Sequence, residues 1–130
     1  MSRCGLLYDP VFLNHKTGSG HPEQPKRVSH AHQAIVEAGL DQKILALSCT
    51  PCEIKHLQRV HTPSYLMQAE KEIEDGFTQL STGDTSVCED SWDVALRATG
   101  GVVDATNKIL SGTLDRAFCL SRPPGHHATP

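Results

Sequence analysis

Ala117-Phe118-Cys119-Leu120-Ser121-Arg122-Pro123-Pro124-Gly125-His126-His127 is the stretch on which the reading of the fold turns. Ala117 to Leu120 is a short apolar run of the kind a buried β-strand presents. It passes without a linker into two prolines, a glycine and two adjacent histidines. The prolines fix φ and carry the chain out extended, and Gly125 permits a bend that other residues adopt only at a cost. Two imidazoles, the side chains that trade protons near neutrality, are therefore expected at a fixed place just beyond a strand end. In open α/β sheets, ligand sites collect outside the carboxyl ends of the strands. On composition alone the same pair is equally well a surface feature.

Upstream of that run, Trp92, Ala95, Leu96, Thr99, Val102, Val103, Thr106, Ile109 and Leu110 form a broad stripe. The stripe predicts a long helix over 90–111, with Asp90 as its cap, Asp93 in the first turn and Gly112 after its end. Residues 78–89 read as a polar loop with a turn at Gly83-Asp84. Thr62-Pro63 announces a helix whose face is Leu66, Ala69, Ile73 and Phe77. Thr50-Pro51-Cys52-Glu53 reads as a capping box opening a short helix through Ile54 and Leu57. Lys43 to Ser48 is a second strand. Pro25 starts a helix carrying Val28, Ala31, Ile35 and Ala38, which Gly39 stops. Cys4 to Tyr8 is the first strand. Strand, helix, strand, helices, strand is the order of an α/β fold, three-layer α/β/α with a short parallel sheet, in one domain spanning 1–130. In such a sheet the strand exits, Asp9 to His21, Cys49 to Cys52 and Arg122 to His127, lie at one end, so a convergent polar site is expected there.

Composition removes several classes of function. A net charge of −3 with no basic cluster argues against a nucleic-acid surface, and 5% aromatic content leaves little to stack bases on. No apolar run nears the roughly 18 residues that cross a bilayer, and the apolar stretch after Met1 is too short for a signal peptide, so no membrane partner is expected. Five cysteines without framework spacing suit a reducing compartment, and a cytoplasmic location is expected.

Cys49-Thr50-Pro51-Cys52 is also a C-x-x-C between a strand and a helix, which admits a thiol oxidoreductase reading. A zinc knuckle from Cys49, Cys52, His56 and His61 is a further reading. Against both, the cap accounts for Thr50, Pro51 and Glu53, and the segment has enough apolar residues to fold without metal. Both thiols are expected to stay reduced. His30 and His32 read as helix-face residues.

Three motifs, in this order along the chain, carry a resemblance. They are His21-Pro22-Glu23 with Pro25-Lys26-Arg27, then Val60-His61-Thr62-Pro63-Ser64-Tyr65-Leu66, then Arg122-Pro123-Pro124-Gly125-His126-His127-Ala128. Together with the 92–112 helix they resemble the zinc-dependent histone deacetylase family, in its class II and bacterial acetylpolyamine-amidohydrolase branch. The resemblance implies the N-terminal part of the arginase/deacetylase fold and hydrolysis of acetyl-lysine or acetylpolyamine amides with zinc. It implies that His126 acts as base toward the metal-bound water and that His127 stabilises and protonates the leaving group. It further implies that Arg27 lines the channel below the active site and that Asp84 holds substrate backbone at the pocket rim.

The chain departs from that family beyond the double histidine. The family's zinc ligands, an Asp-x-His pair and a later Asp, and its carbonyl-polarising tyrosine lie downstream, and no Asp-x-His occurs in these 130 residues. A catalytic zinc needs about three protein ligands plus an open position. The expectation is a deacetylase-like chain, resembling the N-terminal third of the domain, that binds no zinc at the double histidine and is inactive on its own. A non-catalytic interaction or assembly module is the alternative. Strand 117–121 at a sheet edge, or the apolar helix 90–111, is expected to close a homo-oligomer.

Overall fold

The computed structural model of the protein describes residues 2–126 and 128. Three strands, β1 (Cys4–Leu7), β2 (Leu45–Ala46) and β3 (Arg116–Cys119), form one sheet in the order β2-β1-β3. Both pairings are parallel, with Gly5 opposite Leu45 on one side and opposite Ala117 on the other. The ladder runs slightly past these bounds, since the Leu47 amide donates to the Leu6 carbonyl (2.9 Å) and the Leu120 amide to the Leu7 carbonyl (2.8 Å).

Alternation along β1 divides the two cores, because successive strand residues face opposite sides of a sheet. Leu7 joins Phe12, Leu47, Val94, Ala98, Ala105 and Leu114 beneath α4 (Ser91–Leu110). Leu6 joins Val28 and Leu120 beneath α1 (Lys26–Glu37), with Ala31, Ile35 and Ile44 around them. The architecture is thus helix, sheet, helix, as the element order predicts. Leu7, Phe12 and Val94 are completely buried, each stabilising the fold by about 1.5–3 kcal/mol. A third cluster, Ala69, Ile73, Leu80 and Val87 with Tyr65 and Trp92, lies between α3 (Pro63–Glu74), the 78–87 loop and the start of α4. Glu72 ties that loop down, accepting from the Ser81 amide at 2.9 Å and from the Ser81 hydroxyl. The cap expected at Thr62 forms, its hydroxyl accepting from the Tyr65 amide at 3.2 Å with Pro63 at the first helical position. Among the described residues no helix is long and apolar enough to cross a membrane.

Five local expectations are corrected. The buried face of α4 is Val94, Ala98, Gly101 and Ala105, while Val102, Ile109 and Leu110 of the expected stripe are exposed. Proximity to the sheet selects small residues here: a Cβ on Gly101 would stand 2.4 Å from a Leu7 methyl. Asp90 makes no side-chain cap, because it already has a right-handed helical backbone (φ −87°, ψ −7°). The capping box at 50–53 does not form either. The helix there, α2 (Ile54–Leu57), starts after an extended Glu53, and residues 50–52 lie against α4 with the Cys52 amide on the Leu96 carbonyl at 2.9 Å. The second strand is two residues rather than six, since Asp41–Lys43 coils into a 3-10 turn before it. Gly125 does not take a positive φ, so its glycine freedom is not what bends the chain.

Candidate functional site

Because the sheet is parallel, the exits of β1 and β3 lie at the same end, and a single side chain joins them. Arg122, two residues beyond Leu120, is 1% exposed. Its Nε and Nη2 donate to the two carboxylate oxygens of Glu23, each at 2.7 Å. Its Nη1 donates to the carbonyls of Phe12 (2.9 Å) and His15 (2.5 Å). Such a bidentate, charge-assisted fork is among the stronger and more directional contacts available to a protein. Burial opposes ionisation of Glu23, but the hydrogen bond and charge of Arg122 outweigh it and hold the carboxyl below its ordinary value.

His15 completes the buried cluster. The Asp9 side chain accepts from the Val11 amide and starts the short turn Pro10–Asn14, which delivers His15 into the interior at 3% exposure. Its Nδ1 lies 2.8 Å from the Ser91 hydroxyl, which also accepts from the Cys88 amide at 2.8 Å, and its Nε2 lies 3.9 Å from Glu23. Burial, and then the Arg122 charge, push the imidazole down to about 4, so it is neutral at physiological pH. A neutral ring offers one donor and one acceptor nitrogen to these partners.

The residues expected at the site fall around this cluster unevenly. His126 is exposed, in a turn where the Ala128 amide donates to the Gly125 carbonyl at 3.0 Å. His127 lies outside the described residues. Arg27, in the first turn of α1, is over half exposed, and its Nη1 lies 3.4 Å from Glu23. Glu23 therefore joins Arg27 to Arg122, four positions before His126. Asp84 is exposed at the tip of the 80–85 turn, which the Leu80 amide closes on the Thr85 carbonyl (2.9 Å), and it has no hydrogen bond or ion pair among the described residues. The structure does not bring Asp84 to the Glu23 cluster by any contact.

Cys49 and Cys52, at the β2 exit, are free thiols, and burial raises the pKa of both. A redox nucleophile needs the opposite shift. Among the described residues no three His, Cys, Asp or Glu side chains gather as a metal site. The set Cys49, Cys52, His56 and His61 is thus not assembled, and the buried Nδ1 of His61 has no hydrogen-bond partner.

Glu23, His15 and Ser91 were missed as site residues by sequence reasoning. The available signal was slight: Glu23 and Arg122 are opposite charges inside two of the quoted motifs, but 99 positions separate them.

Known proteins place these observations. The histone deacetylase domain family matches residues 21–130. Histone deacetylase 5 of Arabidopsis thaliana is 32% identical, over 97% of this chain and 20% of that protein. A probable deacetylase of Archaeoglobus fulgidus is 30% identical, over 97% of this chain and 35% of that protein. The histone deacetylase-like amidohydrolase of Pseudomonas aeruginosa is 30% identical, over 98% of this chain and 38% of that protein. The solved HDA15 HD domain superposes with a TM-score of 0.89 at 27% identity, covering 98% of this chain and 38% of that one. The chain spans well under half the length of these relatives. On a match that runs from the His-Pro-Glu loop through the double histidine, the chain belongs to the histone deacetylase domain family.

Proposed function

We propose that these 130 residues carry the proton-handling part of a histone deacetylase-type amide hydrolase and do not deacetylate by themselves. The substrate class of that reading is an acetyl-lysine or acetylpolyamine amide, with His126 as the base, His127 as the group that protonates the departing amine, and Arg27 and Asp84 as channel and rim residues. The observation that carries it is the mismatch at the β3 exit. A double histidine follows a firmly anchored strand end, yet no three metal-ligating side chains gather among the described residues and the sequence holds no Asp-x-His. Two histidines alone fall short of the roughly three ligands of a catalytic zinc. Metal analysis of the purified chain with an acetyl-lysine turnover assay tests this. The expected result is no stoichiometric zinc and background turnover; one tightly held zinc, with turnover abolished by His126→Ala, would overturn it.

A second property belongs to the same reading. β3 pairs with β1 on one side, Phe118 on it is 54% exposed, and Leu110 at the end of α4 is 80% exposed. Apolar surface beside an open sheet edge favours self-association. We propose a homo-oligomer through strand 117–121 or helix 90–111. Light scattering over a dilution series is expected to give a mass above 14.1 kDa; a monomer mass at every concentration would sink the idea.

A further inference from the structure

A buried ion pair is a poor way to hold two loops together if stability is all that is required. The cost of desolvating two charges consumes much of their attraction, and well-packed apolar residues commonly do as well. What a guanidinium fork adds is direction, because its donors are planar and fixed relative to one another. At Arg122 that direction is fully specified. Two donors take both oxygens of Glu23, and Nη1 takes the carbonyls of Phe12 and His15. Glu23 is itself held by its neighbours, since its backbone carbonyl accepts from the Thr17 hydroxyl (2.5 Å) and its amide donates to His21 Nδ1 (3.0 Å). The carboxylate thus arrives at Arg122 on a loop whose own backbone is tied.

The link from Arg122 to His126 is three residues long. Pro123 and Pro124 each lock φ, leaving Gly125 as the one intervening residue without such a restraint. We propose that Glu23 and Arg122 form a latch that sets the place and orientation of His126 against loop 9–23. Both are positioning residues, and neither touches a reacting atom. The importance of the latch for chemistry rests on the reading of His126 as a proton-handling residue; its existence does not.

Histidine ring NMR of the whole chain tests the latch without zinc or turnover. The His126 ring line is identified by its loss in His126→Ala. Glu23→Gln keeps the shape and removes the charge, and Arg122→Lys keeps the charge and removes the fork. In both, the His126 line is expected to shift and to broaden or split. The lines of His30 and His56, on α1 and α2, are expected to stay where they are. A purely structural stitch would leave the His126 line in place as long as the variants retain their thermal transition, and that outcome overturns the proposal. If either variant fails to fold, the wild type decides by proton exchange. The Arg122 Nε–H is expected to exchange far more slowly than that of exposed Arg59; equal rates mean that the latch is open and the proposal is wrong. A chain that deacetylates and one that does not give the same readings here, so failure of the functional assignment is distinguishable from failure of the latch.

Discussion

The exits of β3 and β2 lie at the same end of one sheet, yet they are held by opposite means. Beyond β3, a buried guanidinium makes four hydrogen bonds, two of them to a carboxylate. Beyond β2, residues 50–52 rest on α4 because one side chain is missing. A Cβ at Gly100 would stand 1.9 Å from the Thr50 carbonyl oxygen and 2.7 Å from the Cys52 nitrogen. The first contact depends on charge and the second on shape. A charge-held junction is expected to answer to pH and to single-atom changes in its partners. A shape-held one should ignore pH and fail on the addition of a single methyl group.

The largest effect that would break this contrast is at Arg122. Replacement by Met leaves the partly buried Glu23 with only the exposed Arg27 as a cation beside it and takes the donor from the Phe12 and His15 carbonyls, and removing one member of a buried pair costs about 3–5 kcal/mol. Urea denaturation should show that loss at neutral pH, and a drop of well under 1 kcal/mol would mean that the fork is ornamental.

Titration gives the next largest effect. His15 is held down to about 4 in the fold against 6.5 when unfolded. Between those values the unfolded chain binds the proton and the folded one does not, so stability is full above pH 6.5 and falls as the pH descends toward 4. At roughly 1.4 kcal/mol per unit the loss reaches up to about 3 kcal/mol. Below the ordinary carboxylate value, protonation of Glu23, whose folded pKa is lowered, removes a further contribution. The denaturation free energy of His15→Gln is expected to have a flatter pH dependence than the wild type over this window; equal slopes would assign the titration to another group.

At the shape-held exit, Gly100→Ala is expected to destabilise by about 1–3 kcal/mol. Overpacking against backbone outweighs the roughly 1 kcal/mol of helix propensity that alanine gains. That penalty should be the same at pH 7 and pH 5, which separates the two exits most cleanly.

The smallest effect is reserved for Asp84. It is exposed and uncontacted among the described residues, so Asp84→Ala should change stability by no more than about 0.5 kcal/mol. A larger change would mean that the 80–85 turn depends on that carboxylate.

The succession of strands and helices, the two-sided layering and the Thr62 cap were all legible in the sequence, since each rests on local period or a single capping side chain. The packing face of α4 was not. Val94, Ala98, Gly101 and Ala105 recur at helical spacing just as Trp92, Ala95, Leu96, Thr99, Val102 and Val103 do, and hydrophobicity favours the bulkier set. Only the distance from Gly101 to Leu7 decides between them, and that distance is a property of the assembled layers. The site was legible in part. His126, Arg27 and Asp84 came from resemblance, and the structure shows where each lies without assigning it a role. The Glu23–Arg122 pair could not be read from spacing, because nothing local tells a glutamate which of several arginines it will meet across 99 positions. The cap expected at Asp90 failed because its backbone is already helical, which its residue type does not reveal.

The central position of β1 also has a consequence during synthesis. Its partner strand β3 begins at Arg116, opposite Cys4, and the Arg3 amide is bound by Asp115, 112 positions away. A ribosome adding roughly 5–20 residues per second reaches β3 several seconds after β1. Through that interval β1 has only the two-residue β2 beside it, and Leu7 waits for Val94, Ala98, Ala105 and Leu114 to complete its core. The nascent chain therefore carries an incompletely paired apolar strand until β3 is made.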